Sequence, residues 1–430
     1  MRHVPLALRL FLIHTRPIMK RQIMSSGRNR KRYIILVGDG MADYPLEELA
    51  GKTPLEAAST PNMDRIASCH IGLVRTIPTG MGPGSDVANL SLLGYNPALY
   101  LTGRSPLEAA SMGISLKKNQ VAFRMNLVTL EHRSEDRIIM ISHSSGDIST
   151  PESARIVKDL KKGLKIPGIN IYPGVAYRHL LVWKNGPEDA ATIPPHDVLD
   201  QDMSGYLNRD SIDPVPAMIR KSWPLLKDHP VNLKRRQEGL NEANSIWLWG
   251  QGKAPAIPLF KDIYGLDGGV ISAVDLIKGI GVYTGFRPIY VEGATGYLDT
   301  NYRGKAEGAL EGIEDLDLVF LHVEAPDEAS HNGSFEEKIR AIESFDRDVV
   351  GVVLEGMTKF DDYRVMVVSD HFTPIVKKTH TDDPAPFAWA DGNELKAMHK
   401  KNVFTENSAK GSGLLFESGP ELMNTFLRRG

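Results

Sequence analysis

Three near-continuous apolar runs constrain this chain most: Tyr33-Ile34-Ile35-Leu36-Val37, Leu316-Asp317-Leu318-Val319-Phe320-Leu321-His322 and Tyr363-Arg364-Val365-Met366-Val367-Val368-Ser369. A strand with one face in water alternates apolar and polar side chains, whereas a strand covered on both faces reads as a continuous apolar run. Such runs call for a parallel sheet between two helical layers. Helical patterns supply those layers: Thr60-Pro61-Asn62-Met63-Asp64-Arg65-Ile66-Ala67 offers a Thr cap and Pro at the first position, and Glu336 to Leu354 has helical periodicity. Ile71 to Ile77 reads as a further strand. The fold class is therefore α/β, doubly wound and mostly parallel.

Between about Val121 and Val291 the texture changes to shorter, alternating strands (Val121 to Leu130, Arg137 to Ile141, His179 to Trp183), with a helical pattern at Ser149 to Leu160. This reads as a smaller α+β domain, residues 119–294, inserted into a discontinuous domain made of residues 33–118 and 295–430. A chain of 430 residues with 42% apolar and 24% charged content is long enough for both cores. Its net charge of −2 gives no bulk attraction for nucleic acid, while leaving room for a basic pocket. The lone cysteine, Cys69, forms no internal disulfide and points to a reducing, cytoplasmic setting. Residues 1–32 are basic before any acidic residue appears and read as a disordered extension. Their apolar part, Val4 to Ile13, is interrupted by Arg9 and is too short to span a membrane.

Chemistry-bearing residues follow the strands. Asp39 ends the first run, Asp327 and His331 follow the second, and Asp370-His371 ends the third, with His380 in the loop beyond. Sheets of this kind collect ligands at the carboxyl ends of their strands, so residues distant in sequence are expected to converge. Asp327 and His331 share one face if their segment is helical. Ser85, in Gly84-Ser85-Asp86-Val87-Ala88-Asn89-Leu90, stands where a Gly/Pro-rich loop gives way to a helix; it reads either as an N-cap or as a nucleophile favoured by unpaired backbone N–H groups. Together Asp39, Ser85, Asp327, His331, Asp370, His371 and His380 are enough for two divalent cations. A mixed Asp/His set suits Mn²⁺ or Zn²⁺ better than Ca²⁺, and Mg²⁺ is a further candidate.

Val37-Gly38-Asp39-Gly40-Met41, Gly84 to Leu90, Ala325-Pro326-Asp327-Glu328-Ala329-Ser330-His331 and Ser369-Asp370-His371 closely resemble the motifs of archaeal-type cofactor-independent phosphoglycerate mutases of the alkaline phosphatase superfamily. Gly103 to Ala110 and Gly293-Ala294-Thr295-Gly296 strengthen the resemblance, which runs from Tyr33 to the C-terminus. It implies an alkaline-phosphatase-like fold, one metal on Asp327, His331 and His380, and the other on Asp39, Ser85, Asp370 and His371. It further implies a phosphoserine at Ser85 and a small phosphorylated hydroxy acid as substrate, with no 2,3-bisphosphoglycerate, nucleic acid or membrane as partner. Arg104, His143, Asp147 and Lys305 are the expected substrate contacts. The chain departs from the archaeal pattern at Trp249-Gly250-Gln251-Gly252, where Arg-Gly-x-Gly is usual, and at Glu324, where Lys is usual. There it resembles a bacterial branch proposed to act as homoserine kinases, which keeps a phosphotransferase with the same serine and metals as the alternative activity.

Overall fold

The structure is a computed structural model that describes residues 31–134, 136–209, 213–397 and 402–428. The basic extension expected at 1–32 lies outside them except for its last two residues. At the centre of the larger sheet is Arg32–Gly38, parallel to Leu318–Val323 on one side and to Tyr363–Ser369 on the other, with Gly38 opposite both Val323 and Ser369. The next residues along these three strands are Asp39, Glu324 and Asp370, so the register itself delivers three carboxylates to one edge.

The eight strands run in the order Leu415–Phe416, His70–Val74, Ala385–Asp391, Tyr363–Ser369, Arg32–Gly38, Leu318–Val323, Gly268–Ile271, Arg287–Pro288. Only Ala385–Asp391 is antiparallel to its neighbours. Alternate residues of the central strand serve opposite layers. Ile34 and Leu36 pack with Ala306, Ala309, Ile342 and Phe345 on one face, while Tyr33, Ile35 and Val37 pack with Leu90, Ile277, Ile280 and Phe426 on the other.

Where a single helix was expected over 336–354, Phe335–Phe345 runs into a π turn at Asp346–Val350 and then Gly351–Met357. The buried Asp346 carboxylate accepts from the backbone N–H groups of Asn62 (3.1 Å) and Met63 (2.7 Å). It thus does for the Pro61–Ala67 helix what Thr60 was expected to do, since Thr60 makes no side-chain cap there.

A second sheet of five strands is antiparallel throughout. Gln120–Ser134 pairs with Arg137–Ser142, Arg178–Lys184 and Ser245–Gly252, and Ile169–Tyr172 pairs with Arg178–Lys184. One face packs Phe123, Leu181 and Trp247 against Ile156 and Leu160 of Thr150–Gly163 and against Val215 and Ile219 of Pro214–Lys221. The other face sets Ala122, Leu180 and Val182 on Ala109 of the helix Arg104–Ser111. Gly268–Ile271 and Arg287–Pro288 pair in the larger sheet although they fall within 119–294. Strands of four and two residues, the first opening on paired glycines, carry too little apolar pattern to be read in advance.

Candidate metal and phosphoryl-transfer centre

The loop after Arg32–Gly38 turns sharply at Gly40, whose φ is +56°. A Cβ there would lie 2.6 Å from Asp327 Oδ1 and 2.5 Å from Thr373 Oγ1, so glycine is needed both for the left-handed turn and for the close approach of two strand ends. Asp370 is held on both oxygens: Oδ1 accepts from the Gly40 and His371 N–H groups at 3.0 Å, and Oδ2 accepts from Asn89 Nδ2 at 2.7 Å. Asn89 also donates to the Ser85 carbonyl at 2.8 Å, which ties the nucleophile's helix to the metal-ligand loop.

Ser85 is the first residue of the helix Ser85–Leu92, and the cap is extended Gly84, not the serine. Relieved of capping, Ser85 Oγ lies 3.2 Å from His371 Nε2. That nitrogen is also 3.2 Å from Asp39 Oδ1 and 3.6 Å from Asp370 Oδ2. Asp327 and His331 lie on the helix Ala325–Asn332, where their spacing of four puts Asp327 Oδ2 3.2 Å from His331 Nε2. His380 Nε2 is 3.4 Å from Asp327 Oδ1 and 3.0 Å from His331 Nε2. His331 Nδ1 lies 2.9 Å from the Lys378 carbonyl; donating there leaves the Nε2 lone pair facing the cluster. Thr373 links the two groups, donating to Asp327 Oδ1 at 2.6 Å and standing 3.1 Å from His371 Nδ1.

All seven residues expected as ligands therefore converge. Asp39, Asp370 and His371 are fully buried. Burial, with the charges of Asp370, Glu324 and Asp327, drives the Asp39 carboxyl well above its usual range. At Asp327 burial acts in the same upward direction, but hydrogen bonds with His331 and His380 and the charges of His371 and His380 outweigh it and hold the group well below. Both Asp39 oxygens are buried, and the hydrogen bond they share is with another acid, Glu324. A carboxylate in that position is strongly destabilised unless a cation answers it. Donor atoms of Asp327, His331 and His380, and separately of Asp39, Asp327 and His371, lie within 4.8 Å of one another. The donor set thus fits divalent cations.

The expected substrate contacts divide. Arg104 stands beside the nucleophile: a Cβ on Gly84 would be 3.2 Å from its Nη2, and its Nε is 3.3 Å from Asp86 Oδ2. Lys305 is fully buried and meets the centre from its inner side, donating to the His322 carbonyl at 3.4 Å. His143 and Asp147 flank a turn in which Ser145, Gly146 and Asp147 all have positive φ. Buried Arg235 clamps that turn through the Ser145 carbonyl at 2.7 Å. Among the described residues neither His143 nor Asp147 touches the Asp/His cluster; His143 instead packs edge-on to Tyr177 and His196.

Sequence reasoning missed several neighbours. Thr373 carries no motif, and Asn89, though inside Gly84 to Leu90, is an amide without the metal-donor chemistry that singled out the other residues. His322 is the next-to-last residue of the apolar strand Leu318–Val323, and its fully buried Nε2 is 2.9 Å from Asp39 Oδ2. A histidine inside an otherwise apolar run was the available signal. Arg124, stacked over the Trp249 ring at 4.2 Å and paired with Glu108 at 3.2 Å, and Arg178, whose charge reaches Glu328 beside Asp327, add to Arg104. All three guanidinium groups act on Glu108.

The fold and this cluster define an α/β protein with metal-ligand groups at the ends of parallel strands. A model of the 2,3-bisphosphoglycerate-independent phosphoglycerate mutase family matches residues 67–232. A probable 2,3-bisphosphoglycerate-independent phosphoglycerate mutase of Geobacter sulfurreducens is 49% identical over 93% of this chain and 100% of its own length. The Methanosarcina mazei protein named as the same mutase is 51% identical over 92% of this chain and 100% of its own. A solved Pyrococcus horikoshii protein superposes with a TM-score of 0.77 at 29% identity, covering 93% of this chain and 97% of that one. The cofactor-independent phosphoglycerate mutase of Thermoplasma acidophilum shares the fold, with a TM-score of 0.60 at 24% identity over 92% of this chain and 99% of that one. The chain belongs to the 2,3-bisphosphoglycerate-independent phosphoglycerate mutase family.

Proposed function

We propose that this protein interconverts 3-phosphoglycerate and 2-phosphoglycerate without 2,3-bisphosphoglycerate, through a phosphoserine on Ser85. The observation that carries the reading is the position of Ser85: its Oγ is 3.2 Å from His371 in the Asp39/Asp370 group, at the start of a helix whose N–H groups favour negative charge. Asp327, His331 and His380 would hold one divalent cation, and Asp39, Ser85, Asp370 and His371 the other, with Mn²⁺ or Zn²⁺ suited to the donors. Such ions lower the barrier to a serine alkoxide and neutralise oxygens of a phosphoryl group in transit.

The chain's own groups account for the rest. Ser85 Oγ accepts the phosphoryl group from one hydroxyl of the substrate and returns it to the other. Arg104, beside Gly84, is placed to hold the phosphate or the carboxylate in a bidentate grip. Arg124 and Arg178 add positive charge on the side of the smaller sheet, supporting a multiply charged phosphoglycerate as substrate. In this reading residues 33–118 and 295–430 form the catalytic domain and 119–294 the inserted substrate-binding domain, whose last part, from Gly268 onward, rejoins the catalytic sheet. Closure of the insert would exclude water, which distinguishes a mutase from a phosphatase. The setting is the reducing cytoplasm, which lone Cys69 permits.

The test incubates the purified Mn²⁺-loaded protein with 3-phosphoglycerate and no bisphosphoglycerate, coupling 2-phosphoglycerate formation to enolase. Turnover is expected, with a phosphorylated Ser85 peptide trapped on quenching and both signals lost in Ser85→Ala. Absence of 2-phosphoglycerate, with phosphohomoserine formed from homoserine and a phosphoryl donor, would overturn the reading.

A further inference from the structure

We propose that the Thr373 hydroxyl is a positioning group shared by the two cation sites, its single proton orienting one ligand of each. This role rests on the two-ion reading, in which Asp327 holds one ion and His371 the other. Thr373 is fully buried and belongs to neither ligand set. Its Oγ1 lies 2.6 Å from Asp327 Oδ1 and 3.1 Å from His371 Nδ1, so one hydroxyl touches both. The residue is itself held from three sides. Its N–H donates to the Ala42 carbonyl at 3.2 Å, and its carbonyl accepts from Lys338 Nζ at 3.1 Å. A Cβ on Gly40 would stand 2.5 Å from Oγ1, so the hydroxyl is packed against the loop that carries Asp39.

The direction of each bond follows from what each partner can offer. A hydroxyl has one proton and two lone pairs, and Asp327 as a metal ligand is a carboxylate that can only accept. The threonine proton therefore goes to Asp327 Oδ1. Towards His371 the same oxygen presents a lone pair, so the proton between them sits on Nδ1. A backbone hydrogen bond to Phe372 likewise takes a proton from the ring. His371 Nε2 is then the bare nitrogen, facing Asp39 Oδ1 and Ser85 Oγ at 3.2 Å each, where an ion is held. At Asp327 the bond fixes the carboxylate in rotation and leaves Oδ2, 3.2 Å from His331 Nε2, for the other ion. That restraint has work to do, because a donor atom of Asp327 also falls within 4.8 Å of donors on Asp39 and His371.

The experiment compares Thr373→Ala with Thr373→Ser, which differ by the hydroxyl oxygen. Mn²⁺ binding to the full chain is followed by equilibrium titration, reading free Mn²⁺ from its paramagnetic resonance signal. Wild type is expected to bind two ions. Thr373→Ala should raise both dissociation constants at least tenfold, and Thr373→Ser should keep each within about threefold of wild type, since loss of such a partner typically weakens a metal site ~10–100-fold. Should Thr373→Ala show no cooperative urea transition, Thr373→Val, which keeps the volume without the hydroxyl, takes its place. A single weakened step, two unchanged steps, or a Thr373→Ser protein as weak as Thr373→Ala overturns the shared role while leaving the two ions in place. A wild-type count below two rejects the two-ion reading and this role with it.

Discussion

Lys338 and Asp43 form an ion pair at 2.8 Å with neither side chain exposed to solvent. The ammonium uses its other two protons on the carbonyls of Ala42 (3.3 Å) and Thr373 (3.1 Å), so it fastens the loop after Asp39 to the loop after Asp370. Replacing Lys338 with Met keeps the stem and deletes the charge. Asp43 is then left buried, with only the N–H groups of Tyr44 (2.7 Å) and Ile375 (3.2 Å) among the described residues to compensate it. Removing one partner of a buried pair typically destabilises by ~3–5 kcal/mol, and these N–H bonds place Lys338→Met near the lower end, about 3 kcal/mol. With an unfolding entropy of ~2.1 cal/mol/K per residue, the expected fall in Tm is roughly 4 °C. The paired change Asp43→Leu with Lys338→Met removes the stranded charge and should recover ~2 kcal/mol of that loss. Reversible urea unfolding of wild type, single and double variants measures all three. A single variant within about 1 kcal/mol of wild type, or a double variant less stable than the single, would refute the reasoning.

Other outcomes follow from the same geometry. Gly40→Ala puts a Cβ 2.6 Å from Asp327 Oδ1 at a φ of +56°, so it should weaken Mn²⁺ binding at least tenfold by titration and lower stability by ~1–3 kcal/mol. Arg104→Ala should raise the KM for 3-phosphoglycerate more than it lowers kcat, because in the proposed reading the group holds substrate and does not accept the phosphoryl group; an unchanged KM would remove it from the site. His179 is buried, with Nδ1 accepting from the Gly174 N–H at 3.0 Å, and burial lowers its pKa from 6.5 to about 4. Between those values the unfolded chain binds a proton that the native one does not, so stability falls as pH drops from 6.5 towards 4, by up to ~3 kcal/mol. His179→Gln should flatten that part of a pH series of urea midpoints, and an undiminished slope would assign the loss to other groups.

How much could be read in advance depended on how local each cause is. The run from Tyr33 to Val37 announces a strand covered on both faces, and both layers are there because Ile34 and Ile35 answer to different cores. Ala385–Asp391 escaped because Pro386 sits inside it, which ordinarily argues against a strand between two neighbours. The π turn at Asp346 was equally illegible, since the partner of the carboxylate at its start is the helix start at Asn62, 284 residues away. Within the site, the acids, imidazoles and serine at motif positions lie together, whereas a residue brought there by register alone was not singled out. His322 matters because it lies opposite Val37 across a parallel pairing, two residues before Asp39, and no spacing within its own segment says so.

That distinction also bears on the substrate. Asp39, Glu324 and Asp370 directly follow strands of one sheet, where Gly38, Val323 and Ser369 stand level and leave little freedom for their successors, and Asn89 ties the helix of Ser85 to Asp370. The guanidinium groups come from elsewhere: Arg124 and Arg178 from the smaller sheet, and Arg104 from the helix that packs beneath it. On the proposed reading, chemistry and recognition are therefore held by separate cores, joined through Arg104–Ser111. A Trp at 249 does not leave the recognition side uncharged, because its ring carries Arg124 at 4.2 Å and Glu108 fixes that guanidinium from below. Positive charge is delivered by a neighbouring strand. The acceptor should accordingly change with substitutions at Arg124, Arg178 or Trp249 while phosphorylation of Ser85 persists, because none of those residues touches the sheet that holds the serine's partners.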